Sequence, residues 1–106
     1  MRSSASTAAV FAALGDETRL RLVSRLCDDG PTSITNLTRG TPITRQAITK
    51  HLRVMQDAGL VRNKKQGRES YWELDRRRID EARRNLALIS KQWDDALGRL
   101  RKFVED

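Results

Sequence analysis

The chain has 106 residues, 38% of them apolar and 33% charged, which is room for one domain with a modest core and leaves part of the burial to a partner subunit. A net charge of +7 and a pI near 10.5 suit a polyanionic partner. One histidine, one cysteine and no glycine-rich phosphate loop supply neither a catalytic nor a metal-site inventory, so no enzyme, metal or cofactor is expected, and the lone Cys27 excludes an intrachain disulfide.

Residues 1–6 are expected to be a frayed, disordered start. Thr7 to Leu14 reads as a short apolar helix ending at Gly15. That stretch is too short to span a membrane. One arginine before it and Asp16-Glu17 directly after it make a poor signal peptide, so a cytoplasmic protein with no membrane partner is expected. Asp16 is a good N-cap for a second helix, with Leu20, Leu22, Val23, Leu26 and Cys27 gathered on one side, where Cys27 is read as inert packing. Asp28-Asp29-Gly30-Pro31 is a strong stop. A short third helix fits Ser33 to Arg39, broken by Gly40-Thr41-Pro42, and a fourth runs from Thr44 to Ala58 and stops at Gly59. Leu60 to Lys64 and Ser70 to Leu74 read as two strands joined by a turn at Gln66-Gly67-Arg68-Glu69. Asp75 to Glu105 reads as one long helix.

The expected fold is therefore mainly α with a small β-hairpin wing. Two helices split by a short turn form a helix-turn-helix, the basic hairpin after it is the wing, and a long C-terminal helix closes the chain. Residues 7–75 would make the DNA-binding unit and residues 76–106 a dimerisation helix within the same compact body.

On a wheel of about 100° per residue, the fourth helix turns Ile48, Leu52 and Met55 inward, flanked by Ala47 and Val54. Arg45, Gln46, Thr49, Lys50 and Arg53 lie opposite, with no acid among them. Arginine and lysine suit guanine, and glutamine suits adenine, so this face is expected to read base edges. Thr44 is the expected N-cap, free to meet a phosphate together with the first backbone N–H groups. Arg62, Lys64, Lys65 and Arg68 put four cations around the wing. Between Arg45 and Arg68 seven basic residues face one acid, Asp57, while the other 14 basic and 13 acidic residues nearly cancel. Solubilising charge has no reason to cluster in this way, so double-stranded DNA is the expected partner. The lone His51 sits near the apolar face and is either packed at the helix-turn-helix seam or in reach of a phosphate.

In the last helix, Ile79, Ala82, Leu86, Ile89, Trp93, Ala96, Leu100 and Phe103 repeat at alternating spacings of 3 and 4. A helix of about 30 residues is roughly 45 Å long, more than a body of this size can cover. A second copy is expected along this seam, with Val10, Phe11 and Leu14 of the first helix beside it. Trp93 reads as core of that seam or as one wall of a ligand pocket. Arg76, Arg77, Arg78, Arg83 and Arg84 read as a solvated face or as further phosphate contacts.

Several of these runs resemble ArsR-type bacterial repressors. Ala13-Leu14-Gly15-Asp16-Glu17-Thr18-Arg19-Leu20-Arg21-Leu22 is similar to that family's opening "ALADPTRLRIL" pattern. Thr44-Arg45-Gln46-Ala47-Ile48-Thr49-Lys50-His51-Leu52 resembles its "SRQAVSKHL" recognition helix. Ala58-Gly59-Leu60-Val61 and Gly67-Arg68-Glu69-Ser70-Tyr71-Trp72-Glu73-Leu74 resemble its wing. The resemblance covers roughly residues 8–75. It implies a transcriptional repressor that binds an inverted repeat near a promoter as a homodimer and is released by a signal, such as a small-molecule effector. Metal-sensing members carry a Cys-x-Cys before the turn, where this chain has Ser33 and Thr35, and others bind zinc on the last helix through Asp and His residues. The last helix here has Asp80, Glu81, Asp94 and Asp95 but no histidine, so it is more similar to the branch without metal ligands, whose last helix carries a tryptophan as Trp93 does. The turn before the recognition helix is also a residue or two longer. A non-specific architectural DNA binder and a protein-interaction module using the last helix are the competing expectations.

Overall fold

The structure is a computed structural model that describes residues 2–105, with side chains described from Thr7 onward. Five helices and three short strands follow in the order α1 (Arg2–Leu14), α2 (Glu17–Asp29), β1 (Thr32–Ser33), α3 (Ile34–Thr38), α4 (Arg45–Asp57), β2 (Val61–Gln66), β3 (Glu69–Leu74) and α5 (Arg76–Glu105). This is a winged helix-turn-helix with a long C-terminal helix. Helix α1 begins ahead of the expected Thr7, and the side chains of the expected frayed start lie outside the described residues.

Helices α2, α3 and α4 each start on the side chain that the sequence offers. Asp16 accepts the Arg19 backbone N–H at 3.1 Å, Ser33 that of Asn36 at 3.2 Å, and Thr44 that of Ala47 at 3.1 Å. Each cap satisfies one of the donors that a helix start leaves free. Ser33 is thus the cap of α3 and not its first residue. It is also half of a strand the sequence did not reveal: β1 pairs antiparallel with β3, Thr32 with Trp72 and Ser33 with Tyr71, giving a sheet of order β1-β3-β2. Two residues have no strand signal of their own, and β1 exists because β3 has a free edge to pair.

The hairpin is tighter than expected. Gln66 pairs with Glu69, so only Gly67 and Arg68 make the turn. Gly67 has a φ of +63° and Arg68 is not in the positive region, the pattern of a type II′ turn, which matches the twist of the flanking strands.

The core joins Leu22 and Leu26 of α2, Leu37 of α3, Ile48, Leu52 and Met55 of α4, and Leu60, Val61 and Trp72 of the wing, with Val10 and Ala13 of α1 closing one side. Three expected core residues lie outside it. Leu20, Val54 and Cys27 are exposed, because the buried stripes of α2 and α4 are narrow and centred on Leu22 and Leu26 and on Ile48, Leu52 and Met55. At about 100° per residue these three fall well off those centres.

Helix α5 leaves the body after its first turns. Ala82 is buried and Ile79 packs on the core beside α1, but Leu86, Leu88, Ile89, Trp93, Leu97, Leu100, Phe103 and Val104 are all exposed. The protruding helix gives the chain its extents of 67 × 31 × 20 Å.

Candidate DNA interface

Helix α4 is anchored by Ile48, Leu52 and Met55, which are essentially without exposure, and this fixes where its other face points. Arg45, Gln46, Lys50 and Arg53 are exposed on that face, and Thr49 is half-buried at its edge. The Thr49 hydroxyl donates to the Arg45 carbonyl at 2.9 Å, so its proton is committed inside the helix and only its acceptor lone pairs face outward. The Thr44 hydroxyl is held by the Ala47 N–H, as its capping role requires.

A groove runs between this face and the wing. Arg45, Thr49, Arg53, Gln56 and the acid Asp57 form one wall, and Asn63 and Ser70 belong to the other. Strand alternation decides which wing residues reach it. Asn63 and Ser70 line the groove, so Lys65, which pairs with Ser70, belongs to that side. Arg68 sits in the turn at the tip. Arg62 and Lys64 occupy the alternate positions and lie on the outer face, where both meet Glu73: Arg62 Nη2 at 3.3 Å and Lys64 Nζ at 3.2 Å from the same oxygen, Oε1. The four wing cations therefore do not form one patch. The sequence reading missed Glu73, whose signal was available: an acid at the same parity as Arg62 and Lys64 across a two-residue turn. Tyr71, on that outer face, donates its hydroxyl to Glu69 at 2.7 Å, which holds the phenol above its usual pKa.

His51 is turned inward to the junction of three helices. Its Nδ1 lies 3.3 Å from Arg19 Nη1 and 3.8 Å from Asp16 Oδ2. The same guanidinium donates through Nε to the Ala13 carbonyl at the end of α1. Arg19 thus ties α1, α2 and the recognition helix together, and His51 serves this seam. The backbone N–H of Arg19 holds the Asp16 carboxyl below the usual carboxylate range; partial desolvation opposes this, and the charges of Arg19 and His51 add to it.

The residues expected to dimerise divide into two sets. Val10, at 1% exposure, and Ala82 are buried in the chain's own core, which leaves them little surface for a second copy; Phe11, Leu14 and Ile79 are half-covered against that core. Leu86, Ile89 and Leu100 are exposed, Trp93 is 65% exposed, and Ala96 is half-buried. Leu97 and Val104 fall on the same stripe and were not anticipated, because they stand outside the strict alternation of 3 and 4. Ser33 caps α3, Thr35 is exposed, and among the described residues no three His, Cys, Asp or Glu side chains are grouped to hold a metal. No helix of the described residues is long and apolar enough to cross a membrane.

A family model described as a helix-turn-helix domain matches residues 14–63, which is α2 through the start of the wing. The solved structure of an ArsR-like transcriptional regulator from Rhodococcus sp. RHA1 superimposes with a TM-score of 0.81 at 35% identity, covering 97% of this chain and 96% of that one. The chain belongs to the ArsR family of winged helix-turn-helix transcriptional regulators. Among its relatives, the uncharacterized HTH-type transcriptional regulator YuzN of Bacillus subtilis is 42% identical across 57% of this chain and 72% of the relative. The arsenical resistance operon repressor of the same organism is 34% identical across 61% of this chain and 62% of the relative, which is less than two thirds of that protein. ArsR-family membership makes the α3–turn–α4 unit the DNA-binding element, and the basic face of α4, with Asp57 in its last turn as the one acid, is its outward surface.

Proposed function

We propose that this chain is a transcriptional repressor that binds an inverted-repeat operator as a homodimer. The observation that carries the reading is the outward face of α4, where Arg45, Gln46, Lys50 and Arg53 stand exposed against one acid, Asp57 in the last turn, beside a groove that the wing closes. Arg45 and Gln46 reach base edges, Thr44, Lys50 and Arg53 meet phosphates and bases along the helix, and Lys65 and Arg68 meet the backbone that flanks the wing. Glutamine supports base reading over purely architectural binding, which needs only cations. The exposed stripe from Leu86 to Leu100 supports a two-fold dimer, because an apolar surface of this length is the kind that a soluble chain covers with a partner. Two recognition helices related by a two-fold axis fit half-sites about 10–10.5 bp apart or a multiple of that.

With Ser33 acting as a cap and Thr35 offering no soft ligand, the releasing signal is not a metal bound by a Cys-x-Cys pair. Zinc, cadmium or arsenite at micromolar concentration is expected to leave the DNA complex intact; stoichiometric binding that releases DNA would contradict this. The deciding experiment is a footprint on the DNA upstream of the chain's own gene, with and without cell extract. A protected inverted repeat supports the reading, and uniform protection at all sequences makes the protein an architectural binder.

A further inference from the structure

The wing carries a charge arrangement that the DNA-binding reading leaves unexplained. Glu73 shares the outer face with Glu69, and it sits near the base of the wing, paired with Arg62, with its side chain 17% exposed. Its Oε1 is buried and receives no hydrogen bond. The charge on that oxygen is met by two cations from the neighbouring strand, Arg62 at 3.3 Å and Lys64 at 3.2 Å. Both cations are otherwise well exposed, at 53% and 65% of their side chains.

The consequence follows from desolvation. A carboxylate oxygen withdrawn from water and left without an opposite charge is strongly unfavourable. Two cations share this one oxygen, so either can leave while the other stays; both cannot leave without orphaning it. We propose that Glu73 withholds one cation per wing from DNA, so that Arg62 and Lys64 together count as a single phosphate contact. The inference rests on the reading that the wing lies against the DNA backbone. Its effect is on sequence-independent affinity, since phosphate contacts position a protein without reading sequence. Glu73 is a positioning residue in this sense: it touches no DNA and sets how much charge the wing presents. A lower non-specific affinity leaves a larger share of the binding to the base-reading face of α4.

The test is the salt dependence of binding to a random-sequence DNA duplex, measured for the whole chain. Each phosphate contact contributes about 0.9 to the slope of log K against log salt and about fivefold to tenfold in affinity near 0.1 M salt. Glu73→Gln, nearly equal in shape, is expected to steepen the slope by about one unit per wing and to tighten binding by about that factor. Glu73→Asp, which keeps the charge, is expected to stay near the parent slope. Arg62→Gln or Lys64→Gln alone is expected to lower the slope by about one unit per wing, and the double variant by no more than either single one. Glu73→Gln made in the double variant should then have no effect. An unchanged slope in a folded Glu73→Gln, a loss of two units in the double variant, or a gain that persists without Arg62 and Lys64 each overturns the proposal. If Glu73→Gln fails to fold, the two single variants and their double still decide it. A parent that shows no salt-dependent binding at all would instead remove the interface reading on which this rests, an outcome read from the parent alone.

Discussion

Two surfaces of this chain stand open, and they are opposites. The outer face of α4 is polar and basic, with Asp57 in its last turn as the one acid, and it lies on a helix whose other side is anchored in the core by Ile48, Leu52 and Met55. The outer half of α5 carries an apolar stripe, with Trp93 and Phe103 at 65% and 82% exposure, on a helix that has left the core behind. The first surface is stable in water as it stands, because its side chains are hydrated. The second is not in its preferred environment, because apolar area of this extent is stabilised by removal from water at about 25 cal/mol per Å². The difference teaches where each kind of specificity lies. The polar face waits for a ligand that can match its donors, while the apolar stripe is suited to assembly before any ligand arrives.

The largest expected effect breaks the apolar surface without touching the polar one. Leu86 is exposed in the isolated chain and clear of the helix-turn-helix core, so Leu86→Glu should leave the fold intact. In a dimer the new charge would be buried without a partner, at a cost on the order of 3–5 kcal/mol. Sedimentation should then report a monomer. Its affinity for a full operator should fall towards that for a half-site, because two linked contacts become one. A variant that stays dimeric, or a monomer that binds the full operator as tightly as the parent, removes Leu86 from the seam.

The next effect sharpens the polar surface. Arg45→Ala or Gln46→Ala should cost about 1–3 kcal/mol at the specific site and relax base preference there, with little change in stability because both side chains are exposed. Equal losses on specific and random duplexes would make these residues phosphate binders and nothing more. On the wing, Lys65→Gln or Arg68→Gln should weaken all DNA binding and reduce the salt slope by about one unit per lost contact in each subunit. An unchanged slope would detach the groove-facing side of the wing from the interface.

The polar surface was more legible in the sequence than the apolar one, for a physical reason. Ile48, Leu52 and Met55 repeat at the helical period and pull one face of α4 inward, so the identity of the outer face follows from the chain alone. The caps Asp16 and Thr44 were legible for the same reason, since capping is a contact between residues three apart. What escaped depended on contacts distant in the chain. Strand β1 is created by its pairing with Trp72 and Tyr71, the separation of Lys65 from Arg62 and Lys64 follows from hairpin parity, and the partner of His51 at the expected seam, Arg19, is 32 residues away. Val10 was read as a partner contact because its face is apolar, yet periodicity cannot say whether an apolar face meets its own domain or another. The same ambiguity hid the division of α5 between Ala82, which the chain covers itself, and Leu86, which it does not.

The smallest expected effect lies at the junction between the two surfaces, where Arg19 joins α1 to the recognition helix through Asp16 and His51. Asp16 has its carboxyl held below the usual range, chiefly by the Arg19 backbone N–H. A carboxyl whose pKa is lower in the folded than in the unfolded state stabilises the fold above its unfolded value. That stabilisation is lost as pH falls through the folded value, where the native carboxyl also takes up its proton. Asparagine caps a helix about as well as aspartate, so Asp16→Asn keeps the cap and removes only the charge. The variant should therefore be less stable than the parent at neutral pH, by a small margin because Asp16 is solvent-accessible. The margin should close as the pH is taken below the usual carboxylate range. Thermal melts of both proteins across the acid range measure it. A margin that stays constant down to low pH would show that the carboxyl acts here only as a cap, and that the charge contacts with Arg19 and His51 add nothing to the junction.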